Sequence, residues 1–400
     1  MMAATTAAKA GLKVVLLEKM PALGRKLLLT GQGRCNVTND LEPRQFIADC
    51  GPGAKFLHGA LTRFSSRDAV GFFEKLGVPM VLERGGRYFP ESQRSTDILL
   101  ALQKALKQSG VEVMTGARVL NISKHPDGFQ VSTPGAVHNA LLLIIATGGR
   151  SYPATGSTGD GYAFAEAFGH TVVPARPSDV PLVVREDFVK QLQGLSLKNV
   201  ELTLSSGRNR ATFFGEMLFT HYGISGPIVL DASRQAGKWL EDGPVQCSLD
   251  LKPALSNETL DQRLLRDMDA QGRKTYKNLL KGLLPSSLIP VFCRLSGISP
   301  ETLVNQMNKG QRGEVRRLLK GIIFTVTGLR SFNEAVVTAG GVDLAEVNPR
   351  TMGSKKIPGL YFCGEVLDLD GPCGGYNLQI AWSTGFAAGS SASVMKHSDD

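Results

Sequence analysis

The sequence predicts an α/β chain of two or three domains, built around parallel strands that run into Gly-rich loops. Three stretches carry that prediction. Leu360 to Cys363 is a short apolar run that stops at Gly364. Acidic Glu365, Asp368 and Asp370 follow in a turn-rich loop before Gly374 and Gly375, after which Leu378, Ile380, Ala381 and Phe386 can line one side of a helix. Near the front, an Ala-rich segment from Met1 to Ala10 has helical composition, Gly11 ends it, and Leu12 to Glu18 reads as a strand closed by an acidic residue. In the middle, the apolar run from Ala140 to Ala146 enters Thr147-Gly148-Gly149 as a buried parallel strand would. Each run ends where an open α/β sheet binds its ligands, at the carboxyl edge of the strands.

The order helix, strand, Glu18 is that of helix A, strand 2 and the ribose-binding carboxylate in a dinucleotide-binding unit. A preceding strand and a G-x-G-x-x-G loop are then expected upstream of Met1. The loop from Gly24 to Asn39 sets the adjacent cations Arg25 and Lys26 among Gly31, Gly33, Arg34, Cys35 and Asn36. Such a loop can approach a pyrophosphate closely through its cations and backbone N–H groups. A solvated basic turn is the alternative, and it explains Arg25 and Lys26 better than it explains the glycines and Asn36. For the Gly364 to Gly375 segment the alternative is an ordinary αβ corner in which glycines serve only sharp turns. Otherwise, free N–H groups and the positive end of the helix dipole make it a place for a polyanion or a polarised ring.

A helix capped by Ser95 or Thr96 follows, with Ile98, Leu99, Leu102 and Leu106 as its apolar stripe and Gly110 as its stop. Strands are expected at Val111 to Thr115, Arg118 to Ser123 and Phe129 to Thr133. Ser151 to Gly161 is dense in Gly and hydroxyl residues before a helix over Tyr162 to Phe168 capped by Asp160, a second place where backbone could lie against a flat ring. From Pro177 the texture turns to short β-like runs such as Val200 to Leu204 and Val245 to Leu249, interrupted by Gly215 to Pro227. Residues 253–321 are helix-rich and basic, with Arg263, Arg266, Arg273, Lys274, Lys277, Lys281, Arg316, Arg317 and Lys320. A run of this kind is either a solvated helix face or a surface for RNA or phosphate. The β pattern returns near Glu334 to Gly341.

Composition narrows the function classes. The 45 Lys plus Arg against 36 Asp plus Glu give a formal charge of +9, which suits an anionic cofactor, an acidic substrate or nucleic acid. The six cysteines, Cys35, Cys50, Cys247, Cys293, Cys363 and Cys373, form no C-x-x-C pair and have no His at metal spacing. They argue for reduced thiols and a cytoplasmic setting, and against zinc or an iron–sulfur cluster; no metal is expected. No apolar run approaches the roughly 18 residues of a membrane span.

Five blocks in one order resemble a bacterial flavoprotein family variously labelled NAD(P)/FAD-dependent oxidoreductase, BaiN-like or aminoacetone oxidase-like. They are Lys26 to Asn39, Ala146 to Gly149 with Gly156 to Gly161, Leu218 to Pro227, Val337 to Val342, and Gly364 to Asn377. The resemblance runs essentially from end to end. It implies a Rossmann-type FAD-binding domain (1–177 and 349–400) interrupted by a β-barrel-like domain (178–252 and 322–348) that carries a helical insertion (253–321). It further implies that Glu18 holds the adenosine ribose, Arg25 and Lys26 lie along the cofactor, and Val119 meets adenine through its backbone. Thr147, Gly148 and Gly149 would sit near the pyrophosphate, and Gly364 and Glu365 at the ribityl chain. Gly374, Gly375, Tyr376, Asn377 and Leu378 would lie under the flavin pyrimidine edge. Asp179 and Gly353 depart from the family pattern, which usually has an apolar residue and Glu there.

The activity implied is hydride transfer through FAD from NAD(P)H, docking transiently, to an organic acceptor. A C=C bond conjugated to a carbonyl is expected, in a steroid-like enone or in uridine of RNA. Cys35, His221 and Tyr376 are the candidate proton donors by motif position, each with a structural role as its alternative. Two rival readings stay open: an RNA-binding protein on a flavoprotein scaffold, with the basic insertion touching ribosomal RNA, and an inactive flavoprotein lacking its first strand and loop.

Overall fold

The computed structural model describes residues 1–396. The chain divides into two compact units, Met1–Ser178 together with the segment from Phe332 onward, and Asp179–Ser331.

In the first unit two parallel strand pairs carry Gly-rich loops at their carboxyl ends. Val15–Glu18 pairs with Glu112–Thr115, with Glu18 opposite Thr115, and Leu360–Phe362 pairs with Leu143–Ile145, with Phe362 opposite Ile145. The expected single strand from Ala140 is two pieces. Ala136–Ala140 closes an antiparallel sheet with Gly128–Thr133 and Asn121–His125, and the chain then changes partners before Leu143. A smaller antiparallel sheet joins Thr38–Asn39 to Arg87–Pro90 and Met80–Glu83, and Val172–Ser178 pairs with Val337–Val342. That last pairing holds residues 337–342 in this unit rather than in the barrel, so the segment 332–348 divides differently from the sequence expectation. The core gathers Phe46, Leu57, Phe129, Ile145, Phe362 and Ile380.

Met2–Lys9 packs on the long C-terminal helix Tyr376–Lys396 at Gly385 and Gly389, and a Cβ at Gly389 would lie 2.4 Å from the Ala3 carbonyl oxygen. The helix Ser95–Gln108 buries Ile98, Leu102, Ala105 and Leu106 as its period predicts, but its N-cap is Arg94. Ser95 is instead its first residue, and its hydroxyl donates to the Leu28 carbonyl at 3.0 Å.

The second unit is the expected barrel, closed by six strands in the order Leu182–Val184, Gly223–Ser225, Asn209–Phe219, Ser196–Ser206, Val245–Asp250 and Ile322–Leu329. The segment expected to interrupt the β pattern at Gly215 is itself barrel strand as far as Phe219, then a turn through His221, then strand again. Inward residues Leu202, Leu204, Leu249, Phe324 and Val326 are buried together with Leu260, Leu264, Tyr276, Phe292, Leu318 and Leu319 from the helical segment 257–320. Barrel and helices therefore share one core. Among the described residues no helix is long and apolar enough to cross a membrane.

Candidate functional site

Two glycine-rich blocks from opposite ends of the chain meet in the first unit. The block through Asn39 turns sharply: Gly31, Gln32, Gly33 and Cys35 all have φ between 56° and 83°, a left-handed run that glycine makes affordable. It is then tied to the C-terminal helix by three hydrogen bonds. The Thr38 hydroxyl donates to Gln379 Oε1 at 2.7 Å, the Trp382 indole N–H donates to the Val37 carbonyl at 3.0 Å, and the Gly375 N–H donates to the Asn36 amide oxygen at 3.0 Å. That amide orientation also lets Asn36 donate to the Thr38 and Tyr88 carbonyls. Gly375 has φ 89°, and a Cβ there would lie 2.6 Å from the Thr38 carbonyl. Asn377 pins the preceding loop by bonding both the N–H and the carbonyl of Gly371 at 2.8 Å. The helix of 21 residues carries no acidic side chain in its first turn, so its positive end is left for another anion.

Behind this junction the ends of the parallel strands converge on Glu365. Its Oε2 lies 2.6 Å from Lys26 Nζ, while Oε1 accepts from the Ser151 hydroxyl at 3.0 Å and from the Thr338 N–H at 2.7 Å. Lys26 also donates to Ser151 Oγ. The expected Lys26 and Glu365 are thus brought together, whereas Ser151 and Thr338 went unassigned in the sequence. Thr147, Gly148 and Gly149 run just beyond Leu143–Ile145, and a Cβ at Gly149 would collide with the Thr338 side chain.

At the end of the other parallel pair, the Glu18 carboxylate accepts from the Met20 N–H at 2.8 Å. Beside it Lys19 Nζ lies 2.9 Å from Asp160 Oδ2, and Arg118 is 3.9 Å from the same oxygen. Asp160, expected as a cap, is the first residue of the helix Asp160–Ala167. Gly159 is the N-cap; burial pushes the Asp160 carboxyl up, but hydrogen bonds from Lys19 and Thr158 and the charges of Lys19 and Arg118 hold it below its usual range. Val119, next to Arg118 in the chain, packs partly buried against the core of this unit just before the strand Asn121–His125. Arg25 is exposed, and Arg34 turns away to Glu83 and Gln93 with its guanidinium 4.0 Å above the Phe89 ring.

The three candidate proton donors fall in different settings. Cys35 is fully buried, and burial pushes its thiol up to about 12 despite a hydrogen bond with Thr30. The Tyr376 hydroxyl donates to Asp49 at 2.6 Å, with its ring against Phe46. His221 is exposed on a barrel turn, its ring 4.8 Å from that of Tyr222.

What could this arrangement hold? Lys19, Arg25, Lys26, Arg118 and Arg150 supply cations around the strand ends, and the glycines supply N–H groups that a ligand can approach. Tyr162, which the sequence reading passed over, adds a buried hydroxyl with no partner among the described residues. Burial, then the Glu365 charge, raises its pKa and keeps the proton on it as a donor. This donor set fits the phosphates, polyol and ring of a flavin dinucleotide.

Comparison with known proteins agrees. A family model described as HI0933-like protein Rossmann domain matches residues 1–391. The chain is 34% identical over 383 residues to a 3-dehydro-bile acid delta(4,6)-reductase of Clostridium scindens, covering 95% of this chain and 92% of that protein. It is 32% identical over 403 residues to a ribosomal RNA dihydrouridine synthase of Escherichia coli, covering 100% and 96%. Among solved structures, a 3-ketosteroid-delta4-(5alpha)-dehydrogenase from Rhodococcus jostii aligns with TM-score 0.52 at 16% identity over 98% of this chain and 94% of that one. A flavocytochrome c3 fumarate reductase aligns with TM-score 0.50 at 19% identity over 100% and 77%. At such identities the structural matches speak for the fold alone.

Proposed function

Because this chain belongs to the HI0933-like Rossmann-domain family, a family of flavoprotein oxidoreductases, we propose that it is an FAD-dependent reductase of C=C bonds conjugated to a carbonyl. The observation that carries this reading is the junction of the Gly31 to Asn39 turn with the N-terminus of the helix Tyr376–Lys396, backed by the Lys26–Glu365 pair.

In this reading Glu18 takes the ribose, Val119 meets adenine through its backbone, and Arg25, Lys26 and Thr147 to Gly149 lie along the phosphates. Gly364 and Glu365 face the polyol. Gly31, Gly33, Arg34, Cys35 and Asn36 shape the loop that meets Gly374 to Leu378 at the ring. FAD, when bound, supplies two-electron hydride chemistry. The chain supplies orientation and charge: the first-turn N–H groups of Tyr376, Asn377 and Leu378 favour negative charge beside them. The net reaction is enone plus NAD(P)H plus a proton giving saturated ketone plus NAD(P)⁺, with hydride at the β-carbon and the proton at the α-carbon. The sequence has no second dinucleotide fingerprint, so the nicotinamide docks transiently. Of the candidate proton donors, the Cys35 thiol is buried and the Tyr376 hydroxyl is engaged by Asp49, so neither is free to deliver the proton as it stands.

The names of the two relatives support the enone class together. A 3-oxo steroid with a neighbouring double bond and uracil both present C=C conjugated to C=O. We take a small enone as the first substrate and keep RNA as the second, because several cations of the helical segment are paired although residues 253–321 carry twelve Lys or Arg against six Asp or Glu. Arg312 and Arg316 pair with Asp261, Arg317 with Glu314, Lys320 with Asp250 and Lys277 with Glu301. The test is anaerobic turnover by FAD-loaded protein with NADH or NADPH and either a 3-oxo-4-ene steroid or uridine-containing RNA. Steroid reduction supports the reading; turnover of RNA alone replaces the substrate, and reduction of neither overturns it.

A further inference from the structure

We propose that Thr338 is a positioning residue for the cofactor, holding the Glu365 carboxylate and the Arg150–Ser151 backbone in one arrangement; this rests on the FAD reading above. Thr338 is fully buried in a strand, Val337–Val342, that is buried at every position, and it is the only polar side chain there. An apolar residue of the same size would satisfy the packing, so the hydroxyl needs another reason.

The N–H and the hydroxyl of Thr338 both face the site. Its N–H donates to Glu365 Oε1 at 2.7 Å. Its Oγ1 accepts from the N–H groups of Arg150 at 2.8 Å and Ser151 at 3.0 Å. The hydroxyl proton goes to Ser151 Oγ at 3.3 Å, and Ser151 in turn donates to Glu365 at 3.0 Å. Thr338 thus reaches Glu365 twice, directly and through Ser151. The absence of a side chain at Gly149 is what lets Thr338 and Glu365 close up, since a Cβ there would also lie 3.3 Å from the Glu365 carboxyl carbon.

The far side of this network is not buried. The Glu365 and Lys26 side chains keep 20% and 23% of their surface exposed at the strand ends, so the fixed carboxylate is presented outward with its cation beside it. A carboxylate held by three donors has its remaining lone pairs aimed in one direction, which is what recognition of a polyol hydroxyl requires.

The experiment is a double-mutant cycle on FAD affinity, read as a dissociation constant on the full chain. T338V keeps the volume and removes the hydroxyl. It is expected to weaken FAD binding by about tenfold or more, while T338S restores it to within about threefold. With E365Q present, T338V should cost clearly less than it does alone, the remainder being the lost acceptor for the Arg150 and Ser151 N–H groups. S151A, which removes the hydroxyl that donates to Glu365 and links it to Thr338, should show a comparable loss that is likewise absorbed by E365Q, and it answers the question if T338V does not fold. Additive losses in the cycle, or T338V binding FAD like the wild type, overturn this inference and leave the FAD reading standing. A wild-type chain that takes up no FAD overturns both.

Discussion

His170 shows how far a single buried side chain can commit a structure. Its ring is enclosed against Phe362, Nδ1 lies 3.1 Å from Glu346 and Nε2 lies 2.7 Å from the Ser354 hydroxyl. Ser354 also accepts from the N–H groups of Lys356 and Ile357, so it is a turn cap rather than a free nucleophile. Burial lowers the pKa of His170, with Glu346 opposing and Lys356 assisting, so the ring folds neutral. The Lys356 ammonium, with the N–H and hydroxyl of Thr171, holds Glu346 down at about 2. Both folded pKa values lie below their unfolded ones, so both groups stabilise at neutral pH. The His170 share is lost as pH falls below its unfolded value near 6.5, and the Glu346 share as pH falls from about 4.5 towards 2. E346Q should lower the melting temperature at pH 7 and flatten its acid-side decline; an unchanged melting profile contradicts this.

Among the elements, strands and glycine stops were legible in the sequence because their signals are local. Leu360–Phe362 ends one residue before the apolar run does, and the Ser95–Gln108 stripe is buried as its period demands. What was not legible depends on partners far along the chain. Ser95 looks like a cap until Leu28 claims its hydroxyl, Asp160 likewise until Lys19 pairs with it, and Thr338 looks like any β-strand threonine until Arg150 and Ser151 fold back on it. The two tight helices at the front and back carry another such contact. A Cβ on Gly389 would meet Thr6 Cβ at 2.9 Å and the Ala7 nitrogen at 3.1 Å. G389V should therefore cost about 1–3 kcal/mol in unfolding free energy, the usual penalty of overpacking. Chemical denaturation measures it, and a neutral effect means the two helices are not packed this closely.

For the molecule as a whole, the Rossmann-type fold with an inserted barrel was legible through several motifs in order. The placement of 332–348 was not, because either sheet could have claimed that strand and only pairing with Val172–Ser178 decides it. The helical segment 257–320 looked separable in composition, yet its Leu260, Tyr276 and Leu319 belong to the barrel core. Barrel and helices should accordingly melt in one calorimetric step. A distinct transition that vanishes when residues 257–320 are deleted contradicts a shared core. The central claim, that this chain is an FAD-dependent enone reductase, is tested most directly by the visible flavin band of the FAD-loaded protein kept free of oxygen. The account predicts that NADH or NADPH bleaches the band, and that a 3-oxo-4-ene steroid restores it while the saturated ketone does not. A chain that binds no FAD, or a bleached band that no enone restores, contradicts it.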